Sequence, residues 1–596
     1  MGKKSFTNQE IAKLLKQMAA VFEVKNNNFF RARAYTNASI AIANLTTSVQ
    51  ILWQEGKLNE IPGVGKNLSQ HLNELFSTGK VKHFNREFKK VPQGMFSLLK
   101  IRGIGPKTAY KLSVKFKLND SATAIKKLKK LIKEKKLKGI KGFGEKLPEK
   151  IKSSLNLQAV SSKRMLISTA LSIADDFLSY LNSQKSILKA EPLGSLRRHS
   201  STIGDIDIAI RTKNPKEAMN KALKYEEIGK VISSGESVAR VKFKTGHEVY
   251  FKLSSPQEWG SLLQHYTGSK QHNILLRTLA QSKGMSLSEH GIKNKRGKSK
   301  KFKNEKSFYA YLGLSFIPPE LREGEDEIKS AQKNKIPKLV KLEEIKGDLH
   351  LHSDFKFPSS HDLGASSLFE IFNKARELNY EYLGFADHNP KQAGLTYKGR
   401  ESILKRRRKY LVTQYQEYEK RVKTRVPELL IGLEIDIRPN GDLALEDKLI
   451  NALDYAIVSI HSSFNQDRNK TTKRILSALK HPKAVILGHP TGRMINKRSS
   501  IQANWGEIFT FCAKNNKIIE VNADPSRLDL PSDLIKQAIK SNAKFIINSD
   551  GHHSSQMKNI KFGVWTAKKG WSKSKDILNT QSLAELINVL NSKAVN

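Results

Sequence analysis

Gly347-Asp348-Leu349-His350-Leu351-His352 is the stretch on which the reading of this chain turns. Its two imidazoles stand at i and i+2, so a strand here aims both to one side. Working outward, short apolar runs recur at residues 383–385, 429–433, 455–460, 484–487, 518–521 and 545–547, separated by helical segments. Such alternation predicts a β/α repeat with parallel strands. Polar residues sit at the strand ends, in Ala386-Asp387-His388, Gly432-Leu433-Glu434, Ser459-Ile460-His461, Gly488-His489-Pro490 and Ser549-Asp550-Gly551-His552. Imidazole with carboxylate suits zinc, manganese or iron, and several at adjacent strand ends predict a multinuclear cluster. The carboxyl-terminal mouth of a β/α barrel is where such ligands converge. A lone histidine is more often a satisfied core residue; six such sites, each behind an apolar strand, argue against that reading.

Composition bounds the rest. A chain of 596 residues is too long for one core. Lysine and arginine number 105 against 56 acidic residues, a formal charge of +49. That excess predicts a polyanionic partner, nucleic acid ahead of an anionic membrane surface. The single cysteine, Cys512, excludes a disulfide framework and a cysteine-rich zinc site. Met1 to Met18 is polar and amphipathic and no apolar run is long enough to span a bilayer, so a cytoplasmic protein without membrane contact is expected.

The first 160 residues read as short helices divided by three similar glycine turns: Ile61-Pro62-Gly63-Val64-Gly65-Lys66, Ile101-Arg102-Gly103-Ile104-Gly105-Pro106 and Ile140-Lys141-Gly142-Phe143-Gly144-Glu145. Each precedes an amphipathic stretch, where backbone N–H groups at a helix start can hold a phosphate without reading sequence. Further on, Gly194-Ser195-Leu196-Arg197-Arg198 precedes Gly204-Asp205-Ile206-Asp207-Ile208. An Asp-x-Asp strand aims two carboxylates to one side, where they can share Mg²⁺ or Mn²⁺ with a triphosphate. Tyr266-Thr267-Gly268-Ser269-Lys270-Gln271-His272-Asn273 follows, and Pro318-Pro319 with the charged run 323–335 reads as a linker.

On these residues the chain resembles two families. Residues 346 to about 590 are similar to PHP (polymerase and histidinol phosphatase) domains, which implies a distorted seven-stranded β/α barrel with a trinuclear metal centre holding Mn²⁺, or Zn²⁺ or Fe²⁺. The resemblance carries the ligand roles onto His350, His352, Asp362, His388, Glu434, His461, His489, Asp550 and His552, with Asp354 competing with Asp362. It also implies a metal-dependent phosphoesterase in which His350 and Glu434 are catalytic. Residues 1 to about 325 resemble family X DNA polymerases, and the fusion resembles that family's bacterial and archaeal members. The implied architecture is multidomain α/β: an 8-kDa-like helical domain over 1–85, fingers with helix-hairpin-helix motifs over 86–160, a nucleotidyltransferase palm over 161–260, a thumb over 261–325, a linker over 326–345, then the barrel over 346–596. Asp205 and Asp207 take the polymerase-centre positions. Gly194, Ser195 and Arg198 take those that hold the nucleotide's phosphates; Tyr266, Gly268 and Asn273 those that line its sugar and base. Gly63, Gly65, Gly103, Gly105, Gly142 and Gly144 form the DNA-binding hairpins.

Two positions depart from the family. Tyr250 stands where a third catalytic aspartate is expected, with Lys252 at the arginine's place, and a phenol with pKa near ~10 is a poor metal ligand at neutral pH. Glu248 is the nearest carboxylate in the strand that could substitute. His71 stands where the lyase lysine is expected, with Lys66 a poor stand-in. The chain therefore reads as a monomeric DNA-repair enzyme with a 3′–5′ exonuclease and a weakened polymerase centre. Its expected partners are gapped, nicked or 3′-ended DNA without sequence preference, and dNTP; abasic-site cleavage is a further expectation. The alternatives are a gap-filling polymerase with PHP proofreading, a non-catalytic DNA-end binder and a histidinol-phosphate-type phosphatase.

Overall fold

The computed structural model describes residues 6, 8–25, 29–44, 49–54, 56–61, 63–99, 101, 104–134 and 164–591. The chain parts into two compact units, Met1–Pro192 with Thr202–Leu253, and Leu193–Ser201 with Ser254–Asn596. This division falls inside the segment read as palm.

The first unit begins with helices α1 (Asn8–Lys25) and α2 (Phe29–Asn44), followed by α3 (Lys66–Thr78) and α4 (Pro106–Lys115). Helix α3 forms because Leu68, Leu72, Leu75 and Phe76 recur at helical spacing and are buried together, against Ile11, Leu15 and Phe84. It starts from Gly65 and ends at Gly79 in the left-handed conformation. Helix α5 (Ile167–Asn182) then packs on a five-stranded sheet of β1 (Lys189–Pro192), β2 (Ile206–Arg211), β3 (Ile228–Ser234), β4 (Val238–Phe243) and β5 (Glu248–Ser254). Its order is β1-β2-β5-β4-β3. On β5 the burial alternates: Val249, Phe251 and Leu253 go to the core, while Glu248, Tyr250 and Lys252 share the opposite, half-buried face.

The second unit contains α6 (Trp259–Thr267), α7 (Glu305–Tyr311) and the barrel. The run 323–335, read as a linker, is folded instead. Glu327 is fully buried, accepts the N–H groups of Gly324 and Glu325 at 2.8 and 2.7 Å, and meets His272 Nδ1 at 2.8 Å. A charged run looks solvated in sequence; this one is anchored by a buried partner 55 residues away.

Barrel strands are β6 (Gly347–Leu351), β7 (Tyr382–Phe385), β8 (Glu428–Ile431), β9 (Leu433–Asp436), β10 (Ala456–Ser459), β11 (Ala484–Leu487), β12 (Ile518–Asn522) and β13 (Lys544–Asn548). They pair in parallel as β6-β7-β8 and β9-β10-β11-β12-β13. Only Gly432 separates β8 from β9, so among the described residues the barrel has seven staves. A Cβ at Gly432 would lie 2.5 Å from the Tyr455 ring, which leaves room for glycine alone. Parallel bridges between His388 and Glu434 and between Leu351 and Gly551 link the two sheets. Because helices cover the strands outside and side chains fill the interior, both strand faces are buried, which is why they read as apolar runs.

Candidate metal centre and palm carboxylates

Every candidate histidine of the barrel lies on or just beyond the carboxyl end of a strand, and Glu434 is the hub. Its carboxylate lies 2.8 Å from His388 Nδ1, 2.8 Å from His489 Nε2, 3.3 Å from His350 Nε2 and 3.3 Å from His461 Nε2. Asp550 makes a second focus, 3.2 Å from His352 Nε2 and 3.6 Å from His350 Nε2. His552 stacks on His352 with ring centroids 3.9 Å apart. Asp362 Oδ1 is 3.8 Å from His388 Nε2, and Asp362 Oδ2 is 3.6 Å from His552 Nε2. Its competitor Asp354 accepts the Tyr410 hydroxyl at 2.8 Å. Seven of the nine residues fall into overlapping groups: His350, His352 and Asp550; His352, His388 and His552; His388, Glu434 and His461. His489 adjoins them through Glu434, and Asp362 through His388 and His552.

Electrostatics suit cations. Burial alone would raise Glu434, yet His388, His461 and His350 hold it well below the ordinary carboxylate range. Asp362 is about half exposed; its partial desolvation works against the ionised form, and His552 with His388 keeps it down at about 2. Burial and the His552 charge push His352 down to about 3, which keeps its ring neutral. His350 Nε2, His388 Nδ1, His552 Nε2 and Glu434 Oε2 are buried without a hydrogen-bond partner. His461 Nε2 faces His489 Nε2 at 3.3 Å. Ionised carboxylates and inward-turned imidazole nitrogens, several of them buried without a hydrogen-bond partner, are the donor set that divalent metals require.

The surrounding shell includes residues that the sequence did not single out. Glu520 on β12 accepts His350 Nδ1–H at 2.6 Å, which turns Nε2 inward, and its other oxygen accepts the His489 backbone N–H at 2.7 Å. Asp436, two residues beyond Glu434, meets His461 Nδ1 at 2.6 Å and His361 Nε2 at 3.1 Å; these three form a fourth metal-compatible group. Arg407, buried on helix α8 (Tyr397–Arg421), donates to Asp387 at 2.6 Å and to the Gly432 and Phe385 carbonyls, bracing the strand ends. A signal for Glu520 existed: one carboxylate in the otherwise apolar Ile518-Ile519-Glu520-Val521 must have a buried partner.

In the five-stranded sheet of the first unit Asp207 lies on β2 and Asp205 just before that strand. Lys252 Nζ is 3.0 Å from Asp207 Oδ1, so an ammonium already neutralises this carboxylate. Tyr250 lies beneath the Arg240 guanidinium, 5.2 Å from ring centroid to charge. Glu248 is bound by Arg240 at 2.6 and 3.1 Å, and that hydrogen bond holds its carboxyl below the usual range. The fallback carboxylate is thus engaged in an ion pair.

In the second unit Gly194 opens a single helical turn, Gly194–Arg197. Arg197 forks onto Glu305 at 3.0 and 2.7 Å, and Arg198 donates to the Thr267 carbonyl at 2.5 Å. Ser195 accepts the Ser200 N–H through its carbonyl at 2.9 Å. Gly268 caps α6, Tyr266 donates to Glu289 at 3.2 Å, and the Asn273 amide is held by Gln264 and the His265 carbonyl. Of the hairpin glycines, Gly63 takes φ +72°, where an added Cβ would press Ala38 N at 3.2 Å. Gly65 and Gly105 cap α3 and α4 without a side-chain cap, and nothing lies within 4 Å of a Cβ built on either. Gly103, Gly142 and Gly144 lie outside the described residues. His71 stacks on His83 with centroids 5.3 Å apart.

The chain matches the PHP domain family over residues 348–524 and the DNA polymerase beta thumb over 262–323. A helix-hairpin-helix domain matches residues 6–81, and a SAM-like helix-hairpin-helix tandem matches 96–156. It is 33% identical, over 97% of its own length and 98% of the relative's, to the DNA polymerase/3′-5′ exonuclease PolX of Bacillus subtilis. DNA polymerase lambda of Arabidopsis thaliana is 26% identical across 49% of this chain and 58% of that protein. A probable phosphatase of Clostridium acetobutylicum is 28% identical across 36% of this chain and 81% of its own length.

Proposed function

Because the chain belongs to the family X DNA polymerases that carry a C-terminal PHP domain, we propose that it trims DNA 3′ ends at the barrel mouth while its palm centre extends primers weakly. The observation that supports the nuclease best is Glu434, an ionised buried carboxylate met by four imidazoles at strand ends. His350, His352, Asp362, His388, Glu434, His461, His489, Asp550 and His552 would hold the divalent ions, Mn²⁺ foremost. Bound there, such ions supply an acidified water and neutralise the phosphate. The protein's part is orientation. Glu520 and Asp436 fix the rings of His350 and His461 with Nε2 inward, and Arg407 holds the strand ends in place. Helix starts at Lys66 and Pro106, with the chain's positive charge, favour gapped, nicked or 3′-ended DNA of any sequence. Cleavage at abasic sites, a monomeric state and a cytoplasmic location belong to the same proposal.

The palm reading rests on Tyr250 at the place where an aspartate is expected. Lys252 is paired to Asp207 and Glu248 is held by Arg240, so two nearby carboxylates are already engaged and poorly placed to accept the primer hydroxyl's proton. Gly194, Ser195 and Arg198 would still hold dNTP phosphates. The test is metal-free full-length protein with a labelled gapped duplex, given Mn²⁺ with or without dNTPs. Primer shortening that vanishes in His350→Ala/His352→Ala and persists in Asp205→Ala is expected. Loss of shortening in the palm variant alone overturns the assignment.

A further inference from the structure

The turn that carries Arg198 is built into a seam with helix α9 (Ile560–Lys569) of the barrel. His199 stacks on Trp565 with centroids 3.9 Å apart and planes 4° from parallel. Its Nδ1 is 3.3 Å from Glu320 Oε1, which Lys568 also approaches at 3.5 Å. One turn end further, Lys569 makes an ion pair with Glu323 and donates to the Arg198 carbonyl at 3.3 Å. Glu323 in turn stands 3.5 Å from Arg198 Nε. Lys569 and Arg198 are largely buried, at 11% and 13% side-chain exposure, so their charges are less screened than those of a surface pair.

One carboxylate therefore stands between two cations, only one of which faces a polyanion in the proposed function. A triphosphate arriving at Arg198 competes with Glu323 for the guanidinium. We propose that Lys569 is a positioning residue for nucleotide binding: by neutralising Glu323 from the barrel side, it leaves Arg198 available to the phosphates. The PHP domain thereby sets the dNTP affinity of the polymerase half. This inference rests on the reading of Arg198 as a phosphate-binding residue.

The experiment titrates a fluorescent dATP analogue with Mg²⁺ into the full chain. Arg198→Ala should lose most affinity. Lys569→Met should raise Kd about tenfold, as expected when one partly buried counter-charge is removed. Lys569→Arg should keep the wild-type value. In Lys569→Met/Glu323→Gln the affinity should return, because no carboxylate remains to capture Arg198; a merely structural role of Lys569 would not be rescued this way. Glu323→Gln alone, which needs no change in α9, should bind at least as well as wild type and covers the case in which Lys569→Met misfolds. If Lys569→Met binds normally, or Glu323→Gln fails to rescue it, the inference is overturned. If Arg198→Ala binds as wild type does, the phosphate-binding reading itself falls and the inference with it.

Discussion

Glu520→Gln is a near-isosteric change that should cost the barrel both metal affinity and stability. The Glu520 carboxylate accepts four hydrogen bonds. Oε1 takes His350 Nδ1 at 2.6 Å and Asn548 Nδ2 at 3.0 Å; Oε2 takes the His489 N–H at 2.7 Å and Asn522 Nδ2 at 3.2 Å. Those fill the acceptor capacity of an ionised carboxylate. Glutamine replaces one oxygen by an NH₂ group, so two of the four donors meet a donor, whichever way the amide turns. Each unmatched buried group costs roughly 1–3 kcal/mol, which sums to about 2–6 kcal/mol of stability. If the amide oxygen stays with His350, the ring keeps its inward Nε2 but loses a charged acceptor; if it turns away, Nδ1–H loses its acceptor altogether. Either way metal affinity should fall about 10–100-fold, the usual effect of losing a ligand's buried hydrogen-bond partner. Calorimetric Mn²⁺ titration of chelator-treated protein measures the affinity, thermal unfolding the stability, and 3′-end degradation at limiting Mn²⁺ the consequence. Excess Mn²⁺ should restore much of the activity, since the nine proposed ligands remain. Unchanged Mn²⁺ affinity in a folded Glu520→Gln protein would refute the claim that this residue aims His350.

Three further outcomes follow from other parts of the molecule. In a His350→Ala background, which removes degradation, Tyr250→Asp with Lys252→Arg should raise template-directed extension, on the order of a hundredfold if the missing group is a general base; robust extension with Tyr250 in place would refute this and direct attention to Glu248→Ala. DNA affinity should fall with salt at a log–log slope of about −0.9 per phosphate neutralised; Gly105→Val should weaken it without lowering the melting temperature, because a Cβ there meets nothing within 4 Å, whereas Gly63→Ala should destabilise the helical region at φ +72°. Burial opposes ionised Glu305, but Arg322 and Arg197 hold it at about 2 against an ordinary 4.5. Its folded pKa is thus depressed, so its contribution is present above pH 4.5 and lost as pH falls from there toward 2; acid unfolding followed by circular dichroism should show that limb, and Glu305→Gln should flatten it.

Much of the barrel was legible in the chain itself. Strands buried on both faces must be apolar throughout, and the runs at 383–385, 484–487 and 518–521 announce them without any partner in view. Polar residues at their ends stand out for the same reason, so His350, His388, Glu434, His461, His489 and Asp550 could be read as one mouth. The glycine hairpins and the Asp205-Ile206-Asp207 strand were equally local signals. Tertiary structure decided whatever depends on a partner distant in sequence. Glu520 reaches His350 across 170 residues and Lys536 reaches Glu325 across 211, and no periodicity encodes either meeting. Asp362 and Asp354 were both open as ligands from sequence, and only the fold places Asp362 beside His388 and His552 and Asp354 beside the Tyr410 hydroxyl. The run 323–335 looked like solvent-exposed linker because charge density is visible in sequence, but the buried His272 that receives Glu327 is not. At Tyr250 the family resemblance led one to expect an aspartate that the sequence does not have; only the folded sheet showed Lys252 on Asp207 and Arg240 on Glu248. Burial periodicity is a property of each segment alone, and sequence determines it; which buried charge faces which is set by strand order and packing, so it appears only when the chain is folded.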